Sequence, residues 1–158
     1  MFLAREFPTV PFERNGDDAV IHCATERQAR QVWAALDARL TSLGLELHPD
    51  KTRIVYCKDN RRRGSHEHVS FTFLGYTFAP RKAKGRDGGL YLGFLPAVSA
   101  AALTRMGRTL RRWRLHLWIR RSLDELADAI NPIVRGWMHY CVSRGHARWD
   151  RRAVGSMI

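Results

Sequence analysis

The sequence predicts an α+β fold: an antiparallel sheet carrying one packed helix, followed by a bundle of three helices. Two observations predict it. Up to Pro96, short runs of β-branched and aromatic residues alternate with Gly, Asp and Pro turn signals, and a single run of helical periodicity interrupts them. From Ser99 the apolar residues recur at spacings of three and four. This change of character divides the chain into 1–96 and 97–158, the second part closing with a basic tail.

The elements follow in order. Pro11 to Arg14, then Asn15-Gly16-Asp17-Asp18, then Ala19-Val20-Ile21 read as strand, tight turn and strand. Thr25 opens a helix, and Gln28 three residues on completes a capping box. Ala29, Val32, Trp33, Leu36, Leu40 and Leu43 form its apolar face, and Gly44 is its stop. Leu45 to Leu47 and Arg53 to Tyr56 read as extended segments around a His48-Pro49-Asp50 turn. Lys58 to His68 is polar and basic and reads as a mobile loop. Val69 to Phe78 reads as one strand, Gly88-Gly89 as a turn, Leu90 to Leu95 as another strand, and Pro96 as the end of the β-rich part. In the helical part Leu103, Met106, Leu110, Trp113 and Leu117 mark one stripe. Ser122 and Glu125 form a second capping box. Asn131-Pro132 is expected to restart the chain as a third helix, with Ile133, Trp137 and Tyr140 on one face.

Composition narrows the partners. The chain has 158 residues, 45% hydrophobic and 27% charged, the balance of a folded domain rather than a disordered tail. No apolar run approaches the ~20 residues that span a bilayer, and Met1 to Val10 lacks the apolar core of a signal peptide, so no membrane partner and a cytoplasmic location are expected. Lys and Arg total 27 against 15 Asp and Glu, a net +12. Only Lys51, Lys58, Lys82 and Lys84 are lysines. A guanidinium fork matches phosphate with two parallel hydrogen bonds and stacks on bases, so a polyanion is the natural partner. A GC-rich coding sequence would also yield an arginine-rich chain. Cys23, Cys57 and Cys141 show no paired spacing, which speaks against a disulfide framework. Cys57, His66 and His68 fit no usual zinc pattern.

Asp17 and Asp18 at a hairpin tip are the sharpest local feature. Adjacent carboxylates at a tight turn offer oxygen ligands to Mg²⁺, and nucleotidyl transfer uses two such ions. A Gly-Asp-Asp hairpin alone is also an ordinary turn. The arginines around the apolar stripe of the helical part would leave one face for the core and the others for phosphate. Arg108, Arg111, Arg112, Arg120 and Arg121 are the best candidates there, with Arg61, Arg62 and Arg63 in the loop. A solvated helix face would carry the same residues. Trp118, off the apolar stripes, is the candidate for stacking on bases, whereas Trp113 and Trp137 are assigned to the core.

Four motifs, in order, resemble the group II intron reverse transcriptase–maturases. Phe12 to Asp18 is similar to the phrase around their catalytic hairpin. Gly44-Leu45-Glu46-Leu47-His48-Pro49-Asp50-Lys51-Thr52 is similar to the next palm motif, and Phe73-Leu74-Gly75-Tyr76 to the primer grip. Ser122 to Tyr140, with Asn131-Pro132-Ile133-Val134-Arg135-Gly136-Trp137, is similar to the maturase-specific thumb. The resemblance implies that 1–96 is the C-terminal part of a palm and 97–158 a helical thumb. It further implies Asp17 and Asp18 as catalytic metal ligands for Mg²⁺, and Phe73, Leu74, Gly75 and Tyr76 as a primer-positioning set. Lys51 would approach the nucleotide phosphates; it reads equally as an exposed lysine after a turn. The chain departs from the family as well. The first catalytic Asp and the fingers lie upstream of the matching region and are absent, which leaves the sheet short of a strand and with an open edge. Asn15 and Gly16 stand in place of Tyr and Ala, and Cys141 stands where a second Tyr is common.

The expected function is therefore that of an RNA-binding fragment that aids folding and splicing of a structured intron RNA, with Mg²⁺ held only weakly. The alternatives are a subunit of an RNA-directed DNA polymerase, completed by an upstream reverse-transcriptase fragment and acting on an RNA/DNA primer–template, and an inactive remnant of a mobile element.

Overall fold

The architecture of the chain is that of a computed structural model. It describes residues 2–62, 64–85, 87–143 and 155–157. Helices and antiparallel sheets mix as an α+β fold. The elements are α1 (Phe2–Glu6), β1 (Phe12–Asn15), β2 (Asp18–Cys23), α2 (Glu26–Thr41), β3 (Ile54–Tyr56), β4 (Phe71–Phe73), β5 (Tyr76–Lys84), β6 (Leu90–Val98), α3 (Ala100–Trp113), a 3-10 turn (Leu115–Leu117), α4 (Leu123–Ser143) and β7 (Gly155–Met157). One sheet has the order β1-β2-β7-β3 and the other β4-β5-β6.

The chain forms two compact units. The first comprises the residues up to Phe73, together with Phe78–Leu95 and β7; the second comprises Leu74–Thr77 and the described residues from Pro96 to 143.

In the first unit β1 and β2 pair with Asn15 opposite Asp18, which leaves a two-residue turn. Gly16 takes φ 62°, the positive value this turn demands at its first central residue. The β2 register then buries Val20, Ile21 and Cys23. α2 covers them. Its N-cap hydroxyl, Thr25 Oγ1, accepts from Gln28 N at 3.1 Å, and the Gln28 side chain accepts from Ala24 N at 2.7 Å. Ala29 and Val32 of α2 are buried against Ile21 and Cys23, with Trp33 and Leu36 packed around them, while Leu43 of the expected face is 56% exposed. Leu3 and Val10 complete this core, so the N-terminal residues form a short packed helix that the sequence did not announce. β7 lies between β2 and β3 and pairs with both, leaving β1 and β3 as the edges of this sheet.

Three expectations need correcting. The loop 58–68 is pinned: Asn60 N donates to Leu92 O at 3.1 Å, Leu92 N donates to Asn60 Oδ1 at 2.8 Å, and Tyr56 N donates to His68 O at 2.8 Å. Val69 to Phe78 is a hairpin rather than one strand. Leu74 and Gly75 turn it, with φ 49° and 79°, the pattern of a type I′ turn. A leucine is a poor residue for that conformation, which is why the turn is hidden in the sequence. Finally, Pro96 does not end the β part; β6 runs to Val98. It is an edge strand, where a missing N–H is tolerated.

The second unit holds two α-helices and a 3-10 turn, not the expected bundle of three helices. Asn131-Pro132 lies inside α4, a continuous helix of 21 residues. Its start is fixed by the Ser122–Glu125 capping box, in which each side chain accepts from the other's backbone N–H (3.2 and 3.1 Å). Pro132 removes the hydrogen bond it would have donated one turn back, yet the helix continues through it to Ser143. The predicted Leu103–Leu110–Leu117 core stripe is 55%, 47% and 62% exposed among the described residues, because two helices cannot enclose a stripe on each.

Candidate nucleic-acid interface

The second unit is assembled around the Leu74–Gly75 turn. Ser99 caps α3, its Oγ accepting from Ala102 N at 3.2 Å, while its own N donates to Gly75 O at 2.9 Å. From the other side the Tyr140 hydroxyl of α4 donates to Leu74 O at 3.1 Å, and the Tyr76 hydroxyl donates to Tyr140 O. The Tyr76 and Tyr140 rings are 4.6 Å apart. A Cβ on Gly75 would run into the Tyr140 hydroxyl. Both helices thus meet one strained turn, and their contacts hold it in place.

Charge is distributed unevenly over these helices. α3 carries Arg105, Arg108, Arg111 and Arg112, all exposed, and has no acidic residue along its length. Arg111 and Arg112 also sit in its last turn, where the helix dipole favours cations. α4 gathers its carboxylates, Asp124, Glu125 and Asp128, near its N-terminus; from Ala129 to Ser143 it has none. The ion pairs found among the described residues, Arg5–Glu6 and Arg30–Glu26, lie in the first unit. Among the described residues the arginines of α3 have no carboxylate partner, the condition for phosphate binding with counterion release.

Between α3, the turn and the C-terminal half of α4 lies a groove of about 460 Å³. Arg105, Met106 and Thr109 form one wall, Trp137 and Tyr140 the other. Trp137 stacks on Trp113, ring centroids 5.7 Å apart and planes 13° from parallel, so its ring is held rigidly. Arg105, Met106 and Tyr140 were not among the sequence candidates. The i, i+4 spacing of Arg105 and Thr109 is the local signal that they share a face of α3; Met106 belongs to the predicted apolar stripe and is half-buried.

Residues 103–151 match the family model of the group II intron maturase-specific domain. The match spans 49 of the 158 residues and is consistent with a group II intron maturase fragment. Within the described residues this maturase-specific segment takes in α3 from Leu103 onward and all of α4, and so most of the groove. No curated protein and no solved structure matches the chain.

The other candidates fall as follows. Arg120 and Arg121 are exposed between the 3-10 turn and α4. Trp118 is half-buried, and the Arg121 guanidinium lies 4.6 Å from its ring centre, so one of the two faces expected to stack on bases is already covered. Arg61 is exposed. Arg62 is half-buried and donates to Cys57 O at 3.0 Å. Arg63, Arg86 and the basic tail from Arg144 to Arg152 lie outside the described residues. Phe73 and Tyr76 are buried, and Leu74 and Gly75 form the turn. Lys51 is exposed in a turn. Asp17 and Asp18 are exposed at the β1–β2 tip, and no group of three or more His, Cys, Asp or Glu side chains converges among the described residues. Two adjacent carboxylates are not the ligand set of a two-metal centre. His66 stacks on Tyr56 at 4.0 Å. Cys23 and Cys57 are buried, and burial pushes the Cys23 thiol up from 9.0 to about 11. No helix among the described residues is long and apolar enough to cross a membrane.

Proposed function

We propose that the chain is an RNA-binding fragment of a group II intron-encoded reverse transcriptase–maturase, and that it helps a structured intron RNA reach its splicing-competent fold. One observation carries this reading: the maturase-specific match falls on a helix that presents four exposed arginines and no carboxylate. Structured RNA is held through backbone, shape and 2′-hydroxyl contacts, for which unpaired guanidinium groups are the suitable donors. Palm-like and thumb-like descriptions of the two units belong to the same reading. The test is binding of the purified chain to a group II intron RNA, with splicing followed at limiting Mg²⁺. Tight binding together with faster splicing is expected; absence of binding to any structured RNA would refute the proposal.

A second reading, a polymerase subunit completed by an upstream fragment, draws support from the exposed Asp17–Asp18 pair at the hairpin tip. With two adjacent carboxylates and no converging third ligand, Mg²⁺ would stay largely hydrated and bind at roughly millimolar strength. The isolated chain is expected to extend no primer. Extension that Asp17→Ala abolishes would establish this reading instead.

A further inference from the structure

We infer that the groove of the second unit is a subsite for a single unstacked nucleobase of RNA, and this rests on the RNA-binding reading above. The argument begins with size. At about 460 Å³ the groove is far larger than a water site and of the scale of small-ligand clefts. Its lining is that of a base site. Trp137 gives an aromatic surface, and the stack on Trp113 at 5.7 Å fixes its orientation, so little freedom is lost when a base packs against it. Met106 opposite is soft and polarisable, suited to the second face of a flat ring. Thr109 and Tyr140 bring hydroxyls to the same space. Each donates to a backbone carbonyl, Thr109 to Arg105 O at 3.2 Å and Tyr140 to Leu74 O at 3.1 Å, which leaves their oxygens as acceptors for the edge of a base.

Charge selects the occupant. Arg105 stands on the wall of the groove, with Arg108 and then Arg111 and Arg112 further along α3. The opposing half of α4, from Ala129 to Ser143, brings no carboxylate. A flat ring carried on a polyanion meets both the aromatic wall and this cationic track; a neutral apolar ligand would use only the first. Double-stranded RNA keeps its bases stacked, so the site would read unpaired loops and bulges.

The test uses the full chain, a stem-loop RNA and a blunt RNA duplex of equal length. Trp137→Ala removes the stacking surface together with the Trp113 contact that supports the unit, so Met106→Trp, which fills the groove from its α3 wall, is the main variant. The wild type is expected to prefer the stem-loop. Met106→Trp should weaken stem-loop binding by about tenfold, the scale of one lost base stack, and leave duplex binding unchanged. A 2-aminopurine placed in the loop should be quenched by the wild type and not by the variant. Equal binding of both RNAs by both proteins, or an equal loss on both RNAs, would overturn the base subsite while leaving RNA binding standing. Failure of the wild type to bind either RNA would overturn the RNA-binding reading as well.

Discussion

The two units treat their apolar residues in opposite ways. In the first, Val20, Val32 and Val55 have no exposed surface, and a cluster of Leu3, Val10, Ile21, Cys23, Ala29 and Val32 draws on α1, β2 and α2, while Leu43, Leu45 and Leu90 remain exposed. In the second, the buried residues are Tyr76, Ser99 and Ala102, while Ile119 is 87% exposed, Leu123 84% and Met138 60%. The first unit therefore has an apolar core of its own. The second is held at one point, the Leu74–Gly75 turn, by hydrogen bonds from both of its helices. Its arginines and much of its apolar surface remain turned outward.

The contrast can be broken chemically before it is broken by mutation. Cys23 and Cys57 are buried in the first unit, and Cys141 is exposed in the second. Native chain treated with a thiol reagent at neutral pH should label at Cys141 first, by orders of magnitude, because Cys141 is exposed while Cys23 and Cys57 are buried. The raised Cys23 value adds a sign to the pH dependence. Burial keeps this thiol protonated in the folded state, so its contribution is present below pH 9.0 and is lost as pH rises toward about 11. Labelling of Cys23 in the native state at a rate similar to Cys141 would contradict the closed core.

A smaller effect is expected from the turn. Gly75→Ala places a Cβ against the Tyr140 hydroxyl at a φ of 79°, and should destabilise the second unit by about 2 kcal/mol in urea denaturation. A loss below about 0.5 kcal/mol would show that the turn is not the anchor of the unit. Smaller again is Ser122→Ala, which removes the cap of α4 and should cost about 1 kcal/mol. An unchanged unfolding midpoint there would mean that the start of α4 is set by something other than its cap.

What the sequence disclosed and what it hid follow one physical division. Hydrogen bonds between near neighbours were legible: the Thr25–Gln28 and Ser122–Glu125 caps and the Gly16 turn all formed from local chemistry. Features decided by distant contacts were not. Leu74 takes a left-handed conformation because Tyr140, 66 residues away, holds its carbonyl. Asn60 pins a basic loop through Leu92, 32 residues on. Pro132 was read as a break because its own preference is to start helices, yet the helix on either side outlasts the one bond it removes. The same holds for the groove. Arg108, Arg111 and Arg112 were legible as candidates from their charge, but the groove needs Tyr140 and the turn, and no local pattern brings those to Arg105 and Met106.

The central claim is that the exposed arginines of the second unit contact RNA phosphates. The direct measurement is the salt dependence of intron RNA binding by the wild type and by a variant with Arg111, Arg112, Arg120 and Arg121 changed to Ala. Each phosphate contact contributes a log–log slope of about −0.7 to −0.9, so four lost contacts should flatten the slope by about 3 while far-ultraviolet circular dichroism stays unchanged. An unaltered slope and affinity in the variant would place the RNA elsewhere on the chain and leave these arginines as a solvated helix face.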